Sequence, residues 1–322
     1  MKDWALPATV IVALEYLVAL AIGFSVGFHY SIPVSTYVIV GCLAVSIFAV
    51  GSTLALLAFY AWEQEPSPAR RLLSNTPRLG SFATGSLLVT AQVAVLMWLK
   101  VEMPLAVGFW ADPFLAEADR ALFGAEPWRI AQALFGWAVP FIDRVYVLWA
   151  PAKFTTLILV LAMPESLTKS RALLAYFLTV AMGAIGQYLL PSAGPIFYSQ
   201  LGLGDRFSEL PVQPWVHSAQ QYLWQDYLNS GGQVGGGISA MPSLHVAVSV
   251  WIALALGSYS KLVKPLAWAF AAIIFVGSIQ LGWHYALDSV AGVAIACLAW
   301  CFARFSLRPR RRWNTVTGPV FL

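Results

Sequence analysis

Long apolar runs recur along this chain, each close to the length of a membrane span, and that repetition leaves few folds open. A helix that crosses a bilayer needs about 20 mostly apolar residues. Backbone polar groups in hydrocarbon must be satisfied inside the spanning element. Eight such runs can be read, approximately Ala5 to Phe28, Ser35 to Trp62, Leu79 to Leu99, Phe141 to Met163, Ala172 to Leu190, Pro242 to Ser258, Pro265 to Trp283 and Tyr285 to Phe305. The expected fold class is therefore all-α, a polytopic membrane helical bundle of about eight transmembrane helices. Composition agrees: of 322 residues, 59% are hydrophobic and 11% charged, where a soluble domain has roughly a quarter charged. The last two runs are nearly contiguous, which places a tight turn near His284. The first run follows a single lysine, Lys2, and no small-residue cleavage site clearly ends it. It reads as a spanning helix rather than a removed signal peptide.

The net charge of +4 does not point to nucleic acid, because the cations sit in short loops between apolar runs. Arg70, Arg71 and Arg78 lie between the second and third runs, Lys169 and Arg171 between the fourth and fifth, and Lys261 and Lys264 between the sixth and seventh. Arg304, Arg308, Arg310, Arg311 and Arg312 end or follow the eighth. With eight helices all four groups fall on one side, which the positive-inside rule assigns to the cytoplasm together with the C-terminus. Two long segments then face outward. Residues 100–140 carry Asp112, Glu117, Asp119, Glu126, Phe109, Trp110, Trp128 and Trp137, and read as one or two short interfacial helices. Residues 191–241 are rich in Gly, Pro and aromatics. Their run from Gly231 to Gly237 reads as a flexible loop, a mobile lid or a set of backbone amides for a phosphate.

Two histidines would then lie at the outer surface. His245 stands in Ala240-Met241-Pro242-Ser243-Leu244-His245, where the sixth helix begins. Proline suits a first helical turn, and the free N–H groups of a helix start attract anions. His284 and Asp288 are spaced i, i+4, which on a helix puts them on one face. The carboxylate would orient the imidazole and leave its other nitrogen free to attack, with the triad logic moved to a histidine nucleophile. Other readings stay open at this point. The pair could be a buried structural pair or a proton relay in a transporter, although no paired inverted repeats accompany it. A non-catalytic scaffold is a third possibility. The cysteines Cys42, Cys297 and Cys301 all lie in apolar stretches. No disulfide framework is expected, and the i, i+4 pair Cys297 and Cys301 is read as packing. No metal site and no cofactor are expected.

The stretches AMPSLHVA, residues 240–247, and GWHYALDSVAG, residues 282–292, resemble the second and third signature motifs of the type-2 phosphatidic acid phosphatase superfamily. GQYLLPSAGPIFY, residues 186–198, and ADPFLAEADRALFGAEPW, residues 111–128, are similar to the inositol phosphorylceramide synthase branch. The resemblance spans roughly residues 110–300. It implies a six-helix core within residues 79–305 with two added helices within residues 1–78; the charge pattern makes residues 306–322 a basic cytoplasmic tail. The resemblance also implies roles: His284 as nucleophile, Asp288 orienting it, and His245 as acid and then base. Ser243, Gln187, Gly194, Pro195 and Tyr198 would lie at the substrate. A bacterial inner membrane is the expected location, with the site on the extracytoplasmic face.

The sequence departs from the phosphatase pattern at its cations. Gln187 and Gly194 stand where the first motif carries a lysine and an arginine. Gly277 and Ser278 stand where a serine and an arginine precede the nucleophile. A cation-poor pocket suits the single charge of a phosphodiester better than a phosphomonoester near dianion. The expected reaction is thus headgroup transfer, possible headgroup phosphoinositol, from a membrane phospholipid donor to a lipid alcohol such as ceramide or diacylglycerol. The alternative is a lipid or polyprenyl phosphate phosphatase. Arg144, Lys153 and Arg206 are the candidate replacement cations, each with a structural role as a competing reading. Glu15, His29 and His217 are expected to be peripheral, with His217 within possible reach of the pocket. Gly183 and Gly186 are expected to permit close helix packing.

Overall fold

The computed structural model describes residues 3–27, 76–229, 231 and 233–308, with a few isolated positions between 39 and 70. Most of the expected helix from Ser35 to Trp62, with Cys42, and also His29 and residues 309–322 of the basic tail, lie outside the described residues. The described chain is helical: α1 (Ala5–Val26), α2 (Thr76–Ala106), α3 (Ala111–Phe123), α4 (Pro127–Phe135), α5 (Val139–Val147), α6 (Trp149–Ala162), α7 (Leu167–Leu189), α8 (Pro214–Leu228), α9 (Leu244–Tyr259), α10 (Lys264–Gln280) and α11 (Ala286–Ser306). Short 3-10 turns occupy Gly136–Ala138 and Pro195–Phe197.

Helices α1, α7, α11 and the part of α2 from Gly80 are long and apolar enough to cross a membrane. The segments Pro127–Val147 and Trp149–Ala162, bent by 44° at their junction, are together long and apolar enough to count as a fifth span if taken as one. Helices α9 and α10 are apolar but only 16 and 17 residues long. The chain is an integral membrane protein built as a polytopic helical bundle. Large side chains on its outer surface, such as Leu6, Phe24, Leu87, Leu189, Leu266 and Phe302, are exposed, as expected where lipid is the solvent.

Several boundaries differ from the sequence expectation, and each difference shapes the site. The fourth span is broken at Leu148 rather than continuous from Phe141 to Met163. The seventh helix stops at Gln280, before His284, because Gly282 takes a φ of +78° that ends helical geometry readily. The eighth begins at Ala286, with Tyr285 extended as its N-cap. The outer segment 191–241, expected to be loop, contains α8. This helix begins with Pro214 at its first turn, and Asp143 of α5 accepts from the N–H groups of Trp215 and Val216 at 3.4 and 3.2 Å.

The core lies between α9 and its neighbours α7, α10 and α11, with α6 also against α9 and α1 against α2 and α7. Small residues let these helices close up. A Cβ on Gly186 would come within 2.6 Å of Pro242 Cδ, and one on Gly183 would collide with Leu244, so the packing role expected for both glycines is present. A Cβ on Gly292 would lie 2.5 Å from the Ser243 carbonyl oxygen, so α11 touches the backbone where α9 begins. Buried Glu15 of α1 accepts from the Gln92 amide of α2 at 3.2 and 3.1 Å, and that amide also donates to the Phe177 carbonyl of α7. Trp4 approaches Gly85 as Glu15 meets Gln92. Thus α1 and α2 run in the same direction.

The start of α7 and the end of α11 meet at the end away from His284. There the Arg171 guanidinium donates to the Leu307 carbonyl at 3.2 and 3.0 Å. Lys169, expected only as a topology signal, is buried. Its ammonium donates to the carbonyls of Leu161 and Met163 and to Glu165, closing the C-terminal turn of α6.

Candidate active site

Three short segments meet at the other end of the bundle: residues 191–196 after α7, residues 240–245 entering α9, and residues 281–288 between α10 and α11. The backbone stitches them together. Ala240 N–H donates to the Ser192 carbonyl at 2.8 Å, Ile196 N–H to the Gly282 carbonyl at 2.8 Å, and Ser243 N–H to the Asp288 carbonyl at 2.9 Å. His284 is thereby held in a turn, its own N–H donating to the Ser278 carbonyl at 2.9 Å.

Helix α3 clasps this end with two aspartates seven residues apart, a spacing that puts both on one helix face. Asp112 accepts from the N–H groups of Ala193 and Gly194 at 2.8 and 2.9 Å and from the Tyr285 hydroxyl at 2.9 Å. Asp119 accepts from Ala286 N–H at 2.6 Å and Leu287 N–H at 3.0 Å. Asp119 thus caps α11, satisfying donors that a helix start leaves open. Burial raises both carboxyls above their ordinary values, and the hydrogen bonds only partly offset that. Sequence reasoning placed these aspartates only in an interfacial segment. Their spacing on a face shared with Leu115 and Ala116 was the available signal.

The two histidines face each other with ring centroids 5.8 Å apart. His284 is almost fully buried. Its Nδ1 lies 2.9 Å from the Ala240 carbonyl oxygen. A carbonyl can only accept, so Nδ1 carries the hydrogen and Nε2 keeps its lone pair. Burial holds the imidazole far below its ordinary pKa, at about 3, so the ring is neutral near pH 7. His245 sits against Trp149 at 4.2 Å and Tyr146 at 5.1 Å between centroids. Tyr146 gains its place because residue 277 is glycine; a Cβ there would lie 2.8 Å from Ile142 and 3.1 Å from Tyr146.

The orienting bond expected between His284 and Asp288 is made by the Ala240 carbonyl instead. Asp288 Oδ2 stands 3.7 Å from Nδ1 and accepts from Tyr285 N–H at 2.9 Å. The reason is local. His284 precedes α11, so the i, i+4 helical spacing does not apply, and Asp288 occupies the third helical position, where an acidic side chain caps the helix start. It remains a fully buried carboxylate beside the imidazole.

The residues expected at the substrate divide. The Ser243 hydroxyl accepts from Val246 N–H as the N-cap of α9. Gly194 has a φ of +101° and gives its N–H to Asp112. Pro195 and Tyr198 are buried, Tyr198 stacking edge-on with Phe207 at 5.0 Å. Gln187 is buried with its side-chain oxygen free of any protein hydrogen bond. Arg206 is tied to Glu117, Glu126 and the Ala116 carbonyl, and Arg144 is exposed. His217 is exposed on α8 beside Gln221. No cluster of three metal-ligating side chains occurs among the described residues.

Of the candidate replacement cations, Lys153 is the one found beside the histidines. The Lys153 ammonium of α6 lies 4.5 Å over the Trp149 ring, the same ring that packs on His245. Lys100 of α2, which the sequence reading passed over, bears electrostatically on both histidines and on Lys153.

A neutral, backbone-oriented imidazole facing a second imidazole is an arrangement suited to group transfer. The comparisons narrow it. A family model described as the PAP2 superfamily matches residues 114–302, more than half of the chain and all three site segments. The chain belongs to the PAP2 superfamily, and its chemistry is that of phosphatases and phosphotransferases. No curated protein and no solved structure matches it.

Proposed function

We propose that this protein transfers a phospho-headgroup from a phosphodiester lipid to a lipid hydroxyl, in the manner of the inositol phosphorylceramide synthase branch of the superfamily, with residues 79–305 as the catalytic core. The observation that carries the reading is the pair of facing imidazoles, one with its Nδ1 hydrogen committed to Ala240. His284 Nε2 attacks phosphorus and the bond from phosphorus to the leaving lipid oxygen breaks. His245 gives that oxygen its proton. The acceptor hydroxyl then returns a proton to His245 as its oxygen attacks the phosphohistidine, and the P–N bond breaks. One group acting as acid and then base is what a double displacement requires. The phosphorylated imidazole carries positive charge, which Asp288 at 3.7 Å stabilises without a direct hydrogen bond.

The choice of an alcohol over water rests on enclosure: His284 and Asp288 are buried, under segments clasped by α3. The positive-inside distribution supports an extracytoplasmic site with the C-terminus in the cytoplasm, in a bacterial inner membrane. The test is turnover of purified protein in mixed micelles holding labelled ceramide, phosphatidylinositol and a phosphomonoester lipid, with chelator present and His284→Ala alongside. A new labelled phospholipid, absent from the variant, is expected. Release of inorganic phosphate in its place would establish the phosphatase alternative, and turnover by the variant would remove His284 as nucleophile.

A further inference from the structure

The motif positions that would hold phosphate-binding cations are Gln187, Gly194, Gly277 and Ser278, none of them charged. A phosphate entering between the two imidazoles still requires positive charge, because an uncompensated anion in a buried site is costly. Two ammonium groups bear electrostatically on His245 from helices outside those motifs. Lys153 rises from α6, and its Nζ over Trp149 lies one ring away from His245. Lys100 belongs to α2 and lies outside the residues the family model matches. It lines a small cavity with Gly237, Ile238 and Asp226. Residues 237 and 238 lead directly to Ala240, whose carbonyl holds His284. A Cβ on Gly237 would lie 2.9 Å from Lys100 Cβ, so the glycine brings the loop down onto this lysine.

Asp226 is the third member. It is buried on α8 and ties down the glycine loop, accepting from Gln233 N–H at 2.9 Å and Gly237 N–H at 3.1 Å. It also interacts electrostatically with Lys100. Within this trio two ammonium groups and one carboxylate sum to one positive charge, while Asp288 faces the Nδ1 side of His284 and offsets the charge of the phosphorylated ring. The trio's sum matches the single charge of a phosphodiester and falls short of a phosphomonoester dianion.

We propose that Lys100 and Lys153 form the phosphate-binding clamp of this site, and that Asp226, facing Lys100 across the cavity, tunes the clamp to phosphodiester lipids. The proposal deepens the headgroup-transfer reading and rests on it for the placement of the phosphate. Its test separates the two by measuring binding without turnover. Phosphatidylinositol and phosphatidic acid are titrated in detergent micelles against His284→Ala protein, alone and combined with Lys100→Met, Lys153→Met, Lys153→Arg or Asp226→Asn. Each methionine variant is expected to weaken both lipids by about 10- to 100-fold, the range for a lost charge-assisted contact, with Lys153→Arg close to the parent. Asp226→Asn, which keeps one of the two acceptor oxygens that hold the loop, is expected to shift preference toward phosphatidic acid by about tenfold. Unchanged affinities in both methionine variants would overturn the clamp, whatever the wild-type turnover. An unchanged preference in Asp226→Asn would overturn the tuning. Weakened binding in the methionine variants alongside a wild type that forms no product would retain the clamp and reject the transferase. Lys153 lies in a cation–π contact on α6, so its variants keep the clamp testable if Lys100→Met fails to fold.

Discussion

Replacing Asp119 with alanine should damage the site from a distance, and the structure sets the size of the effect. The carboxylate accepts from Ala286 N–H at 2.6 Å and Leu287 N–H at 3.0 Å. Loss of a helix N-cap costs about 1–2 kcal/mol. Leaving a buried donor unpaired costs about 1–3 kcal/mol. These describe the same loss in part, so about 2–3 kcal/mol of stability should go. Activity should fall further than stability alone predicts. Ala286 adjoins Tyr285 and Asp288 lies two residues on, so slack at the α11 start displaces the groups around His284. A 1 Å misplacement can cost about 100-fold in rate. Thermal unfolding in detergent and steady-state turnover of Asp119→Ala would measure both, with kcat expected to fall about 10- to 100-fold and KM to change less. Asp119→Asn keeps an acceptor and should retain more of each. Burial raises the Asp119 carboxyl above its ordinary value, so its charge opposes folding as pH rises from that ordinary value through the raised one. The asparagine variant lacks this cost and should gain on wild type over that rise. An alanine variant that unfolds and turns over like wild type would refute the clasp.

Asp288→Asn keeps an acceptor for Tyr285 N–H but loses the charge beside the imidazole; kcat should drop by about 10- to 100-fold with the fold intact by thermal unfolding, and an unchanged kcat would remove Asp288 from the mechanism. Lys169→Met strands the Leu161 and Met163 carbonyls and the Glu165 carboxylate; a loss of about 3–5 kcal/mol is expected on breaking a buried ion pair, seen as a lower unfolding temperature. Nitrogen-15 NMR of the histidines should show His284 as a neutral ring with hydrogen on Nδ1 at pH 5, above its value of about 3. A protonated ring at that pH would contradict the tautomer argued from Ala240.

What the sequence determined by itself is what contiguous residues encode. Apolar runs state their own need for lipid, so the helical membrane class was legible, as were the candidate residues His245, His284 and Asp288 in short motifs. The turn at His284 was visible in the near-contact of two runs, and the packing roles of Gly183 and Gly186 followed from their lack of a side chain. The tertiary structure decided how those residues are held. Asp119 meets Ala286 across 167 positions and the Tyr285 hydroxyl meets Asp112 across 173, and no local pattern marks such partners. It moved the orienting bond from Asp288 to Ala240, because a carbonyl brought in by the chain entering α9 lies closer than a side chain committed to capping α11. It also brought Lys100 near Lys153, which the sequence had already named as a candidate cation. A charge acts through space, so Lys100 on α2 can serve a site whose motifs lie far along the chain, and only packing brings it there.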